Sequence, residues 1–125
     1  MATSNLNREA HEIHSGNDSI VIVKALGDSP GGRTLNVEGF DGTVVKAGHV
    51  VIAKGNDYKP MPVNGEAYGD LPEGYNYVGV VKATITTKDP RAAIVTLGQV
   101  NEAASPYPVT SAMKNALKIQ FLYGA

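Results

Sequence analysis

"AAIVTLGQVNEAASPYPVTSAMKNALKIQFLYG", residues 92–124, holds a strand, a corner, a helix and a second strand in one stretch. Ala92 to Val100 is apolar and rich in β-branched residues, which reads as a strand. Thr110 stands where its hydroxyl can accept an early orphan N–H and so cap a helix over Ser111–Lys118. Val109, Met113, Ala116 and Leu117 share one face of that helix. Ile119, Phe121 and Tyr123 alternate, so a further strand closes the segment. The corner between them, Asn101 to Pro108, is where an enzyme would build a reactive elbow. Ser105 is the one nucleophile there, and Pro106 after it has no backbone N–H to offer an oxyanion. The corner reads as structural, with Asn101 and Glu102 satisfying backbone groups where the strand ends.

Working outward, Ser19–Leu26 ("SIVIVKAL") reads as a strand covered on both faces, because its large apolar residues are consecutive. "TLNVEGF", from Thr34, alternates imperfectly, with Gly39 as a bulge. Thr43–Lys46 and His49–Ala53 read as short strands joined by Ala47-Gly48. Asn56 to Asn76 reads as a long irregular surface connection. Tyr77 to Thr87 carries a strand-pair signal, and Pro90 presets the turn after it. The expected fold is mainly β: a small β-clip-like or barrel-like domain over 20–125, with six to seven short strands and one short C-terminal helix. Residues 1–19 carry only Leu6 and Ile13 as large aliphatics, too little to pack, and read as a flexible polar N-terminal arm.

The 125 residues fit one domain, and 42% hydrophobic content supplies a core. Cysteine is absent, which excludes disulfides and thiolate metal sites. The formal net charge is −1 and the 11 basic residues are scattered, so the clustered cations of a nucleic-acid binder are missing. No apolar run approaches the roughly 18 residues of a membrane-spanning helix, and the polar start lacks the apolar core of a secretory signal.

Local chemistry is sparse. "GDSPG", Gly27–Gly31, matches the letters of a nucleophile elbow, but Pro30 stands where its oxyanion donor belongs, so it reads as a turn. His11 and His14 lie three apart in a polar segment without a third ligand, and no metal is expected. His49 reads as a satisfied, half-buried histidine. The aspartates sit beside turn formers, which explains them without catalysis. Tyr58, Tyr68, Tyr75 and Tyr77 cluster in and beside the long connection, where they read first as loop packing with their hydroxyls in water; the alternative, carried by Tyr58, Tyr68 and Tyr75, is an outer-surface loop open to a sugar or a protein. Catalytic residues, cofactors and metals are all expected to be absent.

Four segments together carry a resemblance: "VKAGHV" (Val45–Val50), "YKP" (Tyr58–Pro60), "VGV" (Val78–Val80) and "GQVNEAA" (Gly98–Ala104). In this order they resemble the tailed-phage head decoration proteins, the lambda-type decoration and head-fibre proteins. The resemblance spans about Asp41 to Leu117. That family often has Arg before the Gly of the last motif, where this chain has Leu97.

The resemblance implies a non-enzymatic virion protein, made in the bacterial host cytoplasm and placed on the outer surface of the capsid. It implies a homotrimer that binds the major capsid protein of the expanded shell and stabilises it as a cement. It also implies that an N-terminal segment, here Ala2, Thr3, Ser4, Asn5, Leu6, Asn7, Arg8 and Ile13, grips the lattice. No nucleic acid or membrane partner is expected. One alternative is the capsid-proximal base of a head fibre or a glycan-binding adhesive module. Another is a small trimeric nucleotidohydrolase, but the Asp motifs and phosphate-binding Ser/Arg set of that class are not found.

Overall fold

The computed structural model describes residues 18–28, 33–38, 40 and 42–122. Within them the chain is mainly β. A six-stranded sheet dominates, built from β1 (Ile22–Asp28), β4 (Val50–Lys54), β5 (Asp57–Pro60), β8 (Asn76–Val81), β11 (Ile94–Asn101) and β12 (Lys118–Leu122). Three two-stranded ribbons flank it. They pair β2 (Arg33–Thr34) with β10 (Arg91–Ala92), β3 (Val44–Val45) with β9 (Ile85–Thr86), and β6 (Val63–Asn64) with β7 (Ala67–Tyr68).

The main sheet is open, ordered β1-β11-β8-β4-β5, with β1 and β5 at its edges. Its strands are antiparallel except for β11 and β12. A parallel pair needs a crossover, and the opening stretch supplies it. From Asn101 the chain makes a 3-10 turn (Glu102–Ala104), passes Pro106 and Pro108, and forms α2 (Ser111–Ala116) before β12 returns beside β11. Val81 and Val80 of β8 pair with Ile94 and Val95, and β12 pairs with β11 from Leu97 to Asn101.

Apolar side chains alternate across the sheet and fill two cores. Val50, Ile52, Val80 and Val95 face one core, with Val100, Met113, Leu117 and Ile119. Val51, Val81 and Ile94 face the other, with Leu35, Val45 and Ala92. The central strands β4 and β8 are thus covered on both sides, as consecutive Val and Ile residues require.

Several expectations are corrected. The strand expected at Ser19–Leu26 begins at Ile22, after one helical turn, α1 (Asp18–Val21). It is not covered on both faces: it lies at the sheet edge, and Val23 and Leu26 are exposed. "TLNVEGF" is strand only at Thr34, and Gly39 lies outside the described residues. The connection after Asn56 is not irregular, because β5, β6 and β7 run through it. Pro60 is tolerated because β5 is an edge, where one side of the strand needs no donors. The strands number twelve among the described residues, several being only two residues long.

The C-terminal helix is as expected but shorter. Thr110 Oγ1 accepts the Met113 N–H at 3.3 Å, and Leu117 closes the helix. Met113 and Leu117 are buried, while Ala116 is exposed. Thr110→Ala is expected to lower stability by about 1 kcal/mol, the usual worth of such a cap, read from urea denaturation midpoints.

The corner differs in detail. Glu102 pairs with Lys114 at 2.9 Å and thereby ties the 3-10 turn to α2. The Asn101 carbonyl accepts the Ser105 hydroxyl at 3.2 Å, but Asn101 Oδ1 is buried without a hydrogen-bond partner among the described residues. Its side-chain oxygen therefore does not serve the backbone as expected.

Candidate functional site

The three tyrosines do not make one exposed platform. Tyr68 is buried: its hydroxyl oxygen accepts the Val50 N–H at 3.0 Å, and its ring meets those of His49 and Tyr107. It is a core residue, and the expectation of an outer-surface role for it is withdrawn. Its burial holds its phenol well above the ordinary value, so it stays protonated.

Tyr58 and Tyr75 are half-buried and pack against opposite cores. The Arg33 guanidinium lies 4.9 Å from the Tyr58 ring centre, and the Lys59 ammonium 4.7 Å from that of Tyr75. One face of each ring is thus occupied by a cation of the same chain. Asp57 accepts from the Tyr75 hydroxyl and, at 3.2 Å, from the Asn36 amide. The Tyr75 bond, first, and then the Asn36 bond favour the carboxylate, so Asp57 ionises below its ordinary range. The same bond raises the Tyr75 phenol. This set ties β5 to the segments before β8 and after β2.

His49 is buried more deeply than expected, at 1% exposure. Its Nε2 donates to the Met61 carbonyl at 2.9 Å, because that oxygen can only accept. Rings of Phe40, Tyr68 and Tyr107 stand edge-on to it at 5.3–5.6 Å. Burial lowers its pKa to about 4, against a smaller opposing effect of the Met61 bond, so the imidazole is neutral at pH 7.

No group of three or more His, Cys, Asp or Glu side chains is disposed to hold a metal among the described residues. His11 and His14 lie outside those residues, as do Pro30, Asp41, Tyr123 and the residues expected to grip a lattice, Ala2–Arg8 with Ile13.

The surface that stands out is one the sequence reading missed. Ile20, Val23 and Leu26, on and just before β1, are 52%, 42% and 60% exposed. Leu97 of β11, opposite Gly27 of β1, is 47% exposed. These are four of the five large hydrophobic side chains exposed among the described residues. They gather at a strand whose outer edge has no partner in the described chain. An apolar edge strand offers both backbone hydrogen bonds and side-chain burial to a second chain. The register of β1 on β11 shifts three times, at Ile22/Lys24, Ala25/Gly27 and Gly27/Asp28. Such bulges bend an edge and narrow the set of strands that can add to it. The one signal available in the sequence was Lys24 inside the apolar run, since a central strand rarely carries a charge.

No family model, curated protein or solved structure matches this chain.

Proposed function

We propose that the protein is a structural virion protein that binds the outer surface of an expanded phage capsid and stabilises it. The observation that supports this reading is the apolar edge formed by Ile20, Val23, Leu26 and Leu97. A protein that works by contact needs a surface that gains by being covered, and this edge directly follows the N-terminal segment that the resemblance assigns to lattice binding. Full burial of one such side chain contributes about 1.5–3 kcal/mol, so even partial cover at four positions, repeated over a lattice, gives a firm attachment. Binding to the expanded shell alone stabilises that state by the difference in affinity between the two shells. In this reading the partner is the major capsid protein, the protein assembles as a homotrimer, and it carries out no catalysis.

The test is the composition of gradient-purified particles, with this protein quantified against the coat protein by mass spectrometry. Copy numbers similar to the coat protein are expected. Absence from particles overturns the proposal, and a small fraction moves it to a fibre base or a vertex protein. Two variants then locate the contact. Deletion of Ala2–Ser15 is expected to leave the domain folded and abolish particle binding. Leu26→Asp changes an exposed side chain, so it is expected to leave the melting temperature nearly unchanged while weakening particle binding at least about tenfold, the order that loss of one buried apolar contact gives. Full binding by Leu26→Asp would remove the β1 edge from the interface.

A further inference from the structure

Asn64-Gly65 is the single Asn-Gly step in the sequence, and it stands at the tip of the β6–β7 ribbon. Asn64 pairs with Ala67, so Gly65 and Glu66 form a two-residue turn, with Gly65 at φ +71° as its first residue. Asn64, Gly65, Glu66 and Ala67 are all exposed. A Cβ at Gly65 would meet no atom within 4 Å, so the turn faces open solvent. Among the described residues, no hydrogen bond holds the Asn64 side-chain amide or the Gly65 N–H.

A backbone nitrogen is a nucleophile toward the side-chain amide carbon of a preceding asparagine, and a Cβ on its own residue obstructs the approach. Gly65 has none. The other described asparagines precede side chains: Asn36 is followed by Val37, Asn56 by Asp57, Asn76 by Tyr77, Asn101 by Glu102 and Asn115 by Ala116. Asn36 is also tied at both ends, its amide donating to Asp57 at 3.2 Å and its oxygen accepting the Glu38 N–H at 3.0 Å. Asn64 is part of a strand, so attack on it requires the Asn64–Ala67 pair to open. The ribbon has only two pairs, and a ribbon so short is marginal by itself in water. Its end therefore opens locally, without unfolding of the main sheet.

We propose that Asn64 is a self-modification site, converted to aspartate and isoaspartate by attack of the Gly65 nitrogen, and that isoaspartate there loosens the seat of Tyr68. The Gly65 nitrogen bonds to Asn64 Cγ and gives up its proton, the Cγ–Nδ2 bond breaks, and the amide nitrogen leaves with that proton as ammonia. Water then opens the cyclic imide. Opening at Cγ gives aspartate, and opening at the main-chain carbonyl gives isoaspartate. Both products are carboxylates at neutral pH, which adds a negative charge to a chain of formal net charge −1. Isoaspartate also routes the main chain through the former side chain and so lengthens it by a methylene between Val63 and Gly65. Val63–Tyr68 is the next pair of the ribbon, and the Tyr68 hydroxyl oxygen accepts the Val50 N–H at 3.0 Å. A lengthened β6 arm cannot keep this pair in register across the turn, so the bond to Val50 is the part of the core exposed to the change. The inference stands on this turn alone and does not depend on the capsid reading.

The test is incubation of the full chain in mildly alkaline buffer, with conversion at each asparagine followed by mass spectrometry of proteolytic peptides. Asn64 is expected to convert at least about tenfold faster than Asn56, Asn76 and Asn115, which are equally exposed but precede a side chain. Hydrogen exchange at the Val50 amide is expected to be about tenfold faster in the isoaspartate product, as loss of one hydrogen bond gives. Freshly purified Asn64→Asp carries the charge without the extra methylene, and it is expected to keep the Val50 exchange rate of the unconverted chain. Conversion at Asn64 no faster than at the three comparison sites overturns the proposal. An unchanged Val50 rate in the isoaspartate product, or the same rise in Asn64→Asp, overturns the part that concerns Tyr68.

Discussion

Replacing Gly79 by alanine is expected to destabilise the protein by about 3 kcal/mol, near the upper end for an overpacked core position. Gly79 lies in β8, between β4 on one side and β11 on the other. A Cβ added there would come within 2.1 Å of the Val95 carbonyl oxygen and 3.0 Å of Ile94 Cγ2. The closer contact cannot be relieved by a change of rotamer, because a methyl group has none to change and its neighbour is backbone. The strands must part where Ile94 and Val95 pair with Val81 and Val80, and both cores lose contact there. Gly55→Ala is the control. Gly55, at φ +62°, has no atom within 4 Å of its virtual Cβ, so only the left-handed backbone is strained. That change is expected to cost about 1 kcal/mol. Urea denaturation of both variants measures the difference, and equal losses would show that strand approach at Gly79 is not a tight constraint.

Acid is expected to remove about 3 kcal/mol through His49. In the unfolded chain this imidazole titrates near 6.5, and in the folded protein its pKa is lowered to about 4. Between these values the unfolded state takes up a proton that the native state refuses, so stability rises with pH across the window. The contribution is complete above about pH 6.5, declines as pH falls, and is gone below about pH 4. The gap between 6.5 and about 4 corresponds to about 3 kcal/mol, most of it lost by pH 4.5. Asp57 acts in the same direction, but only below the ordinary carboxylate range, where its own carboxylate begins to protonate. Among the described residues, denaturation midpoints between pH 7 and 4.5 therefore report on this histidine. His49→Gln is expected to be less stable at pH 7 and to have a flatter profile across that window. A wild-type profile that is level from pH 7 to 4.5 would contradict the burial of a neutral imidazole.

The readable parts of the fold are those where local chemistry and tertiary position agree. Thr110 caps its helix because a hydroxyl before an apolar stripe has few better roles, and Met113 and Leu117 fall inward on the helical period. Val50–Ile52 and Val80–Val81 are covered on both faces, as unbroken apolar runs suggest. Ile20–Leu26 has the same composition and the opposite outcome. The difference is strand order: β1 has a neighbour on one side, and within the run Lys24 alone hints at that. The connection after Asn56 reads as irregular in the sequence, yet Gly65-Glu66 is a two-residue hairpin turn between β6 and β7, with Gly65 at φ +71°. Tyr68 follows from that hairpin. Once the turn is in place, its ring points inward at His49, and no count of nearby tyrosines could have shown it. A recess lined by Phe40, Lys46 and Tyr107 was equally hidden, since it joins residues about half the chain apart.

β11 is the strand at which three distant parts of the polypeptide meet. It takes β1 along one side and shares the other between β8 and β12. A nascent chain on the ribosome can form the β4–β5 hairpin and add β8 early, since these are near neighbours in sequence. It cannot seat β1 until Val95–Val100 has emerged, and β11 remains half uncovered until Leu122 follows. Pairings across such long separations form slowly and leave apolar edges open meanwhile. The order of synthesis therefore defers completion of the sheet to the last strand, and a chain that stalls before Lys118 exposes β11 as well as β1 to its neighbours on the same messenger.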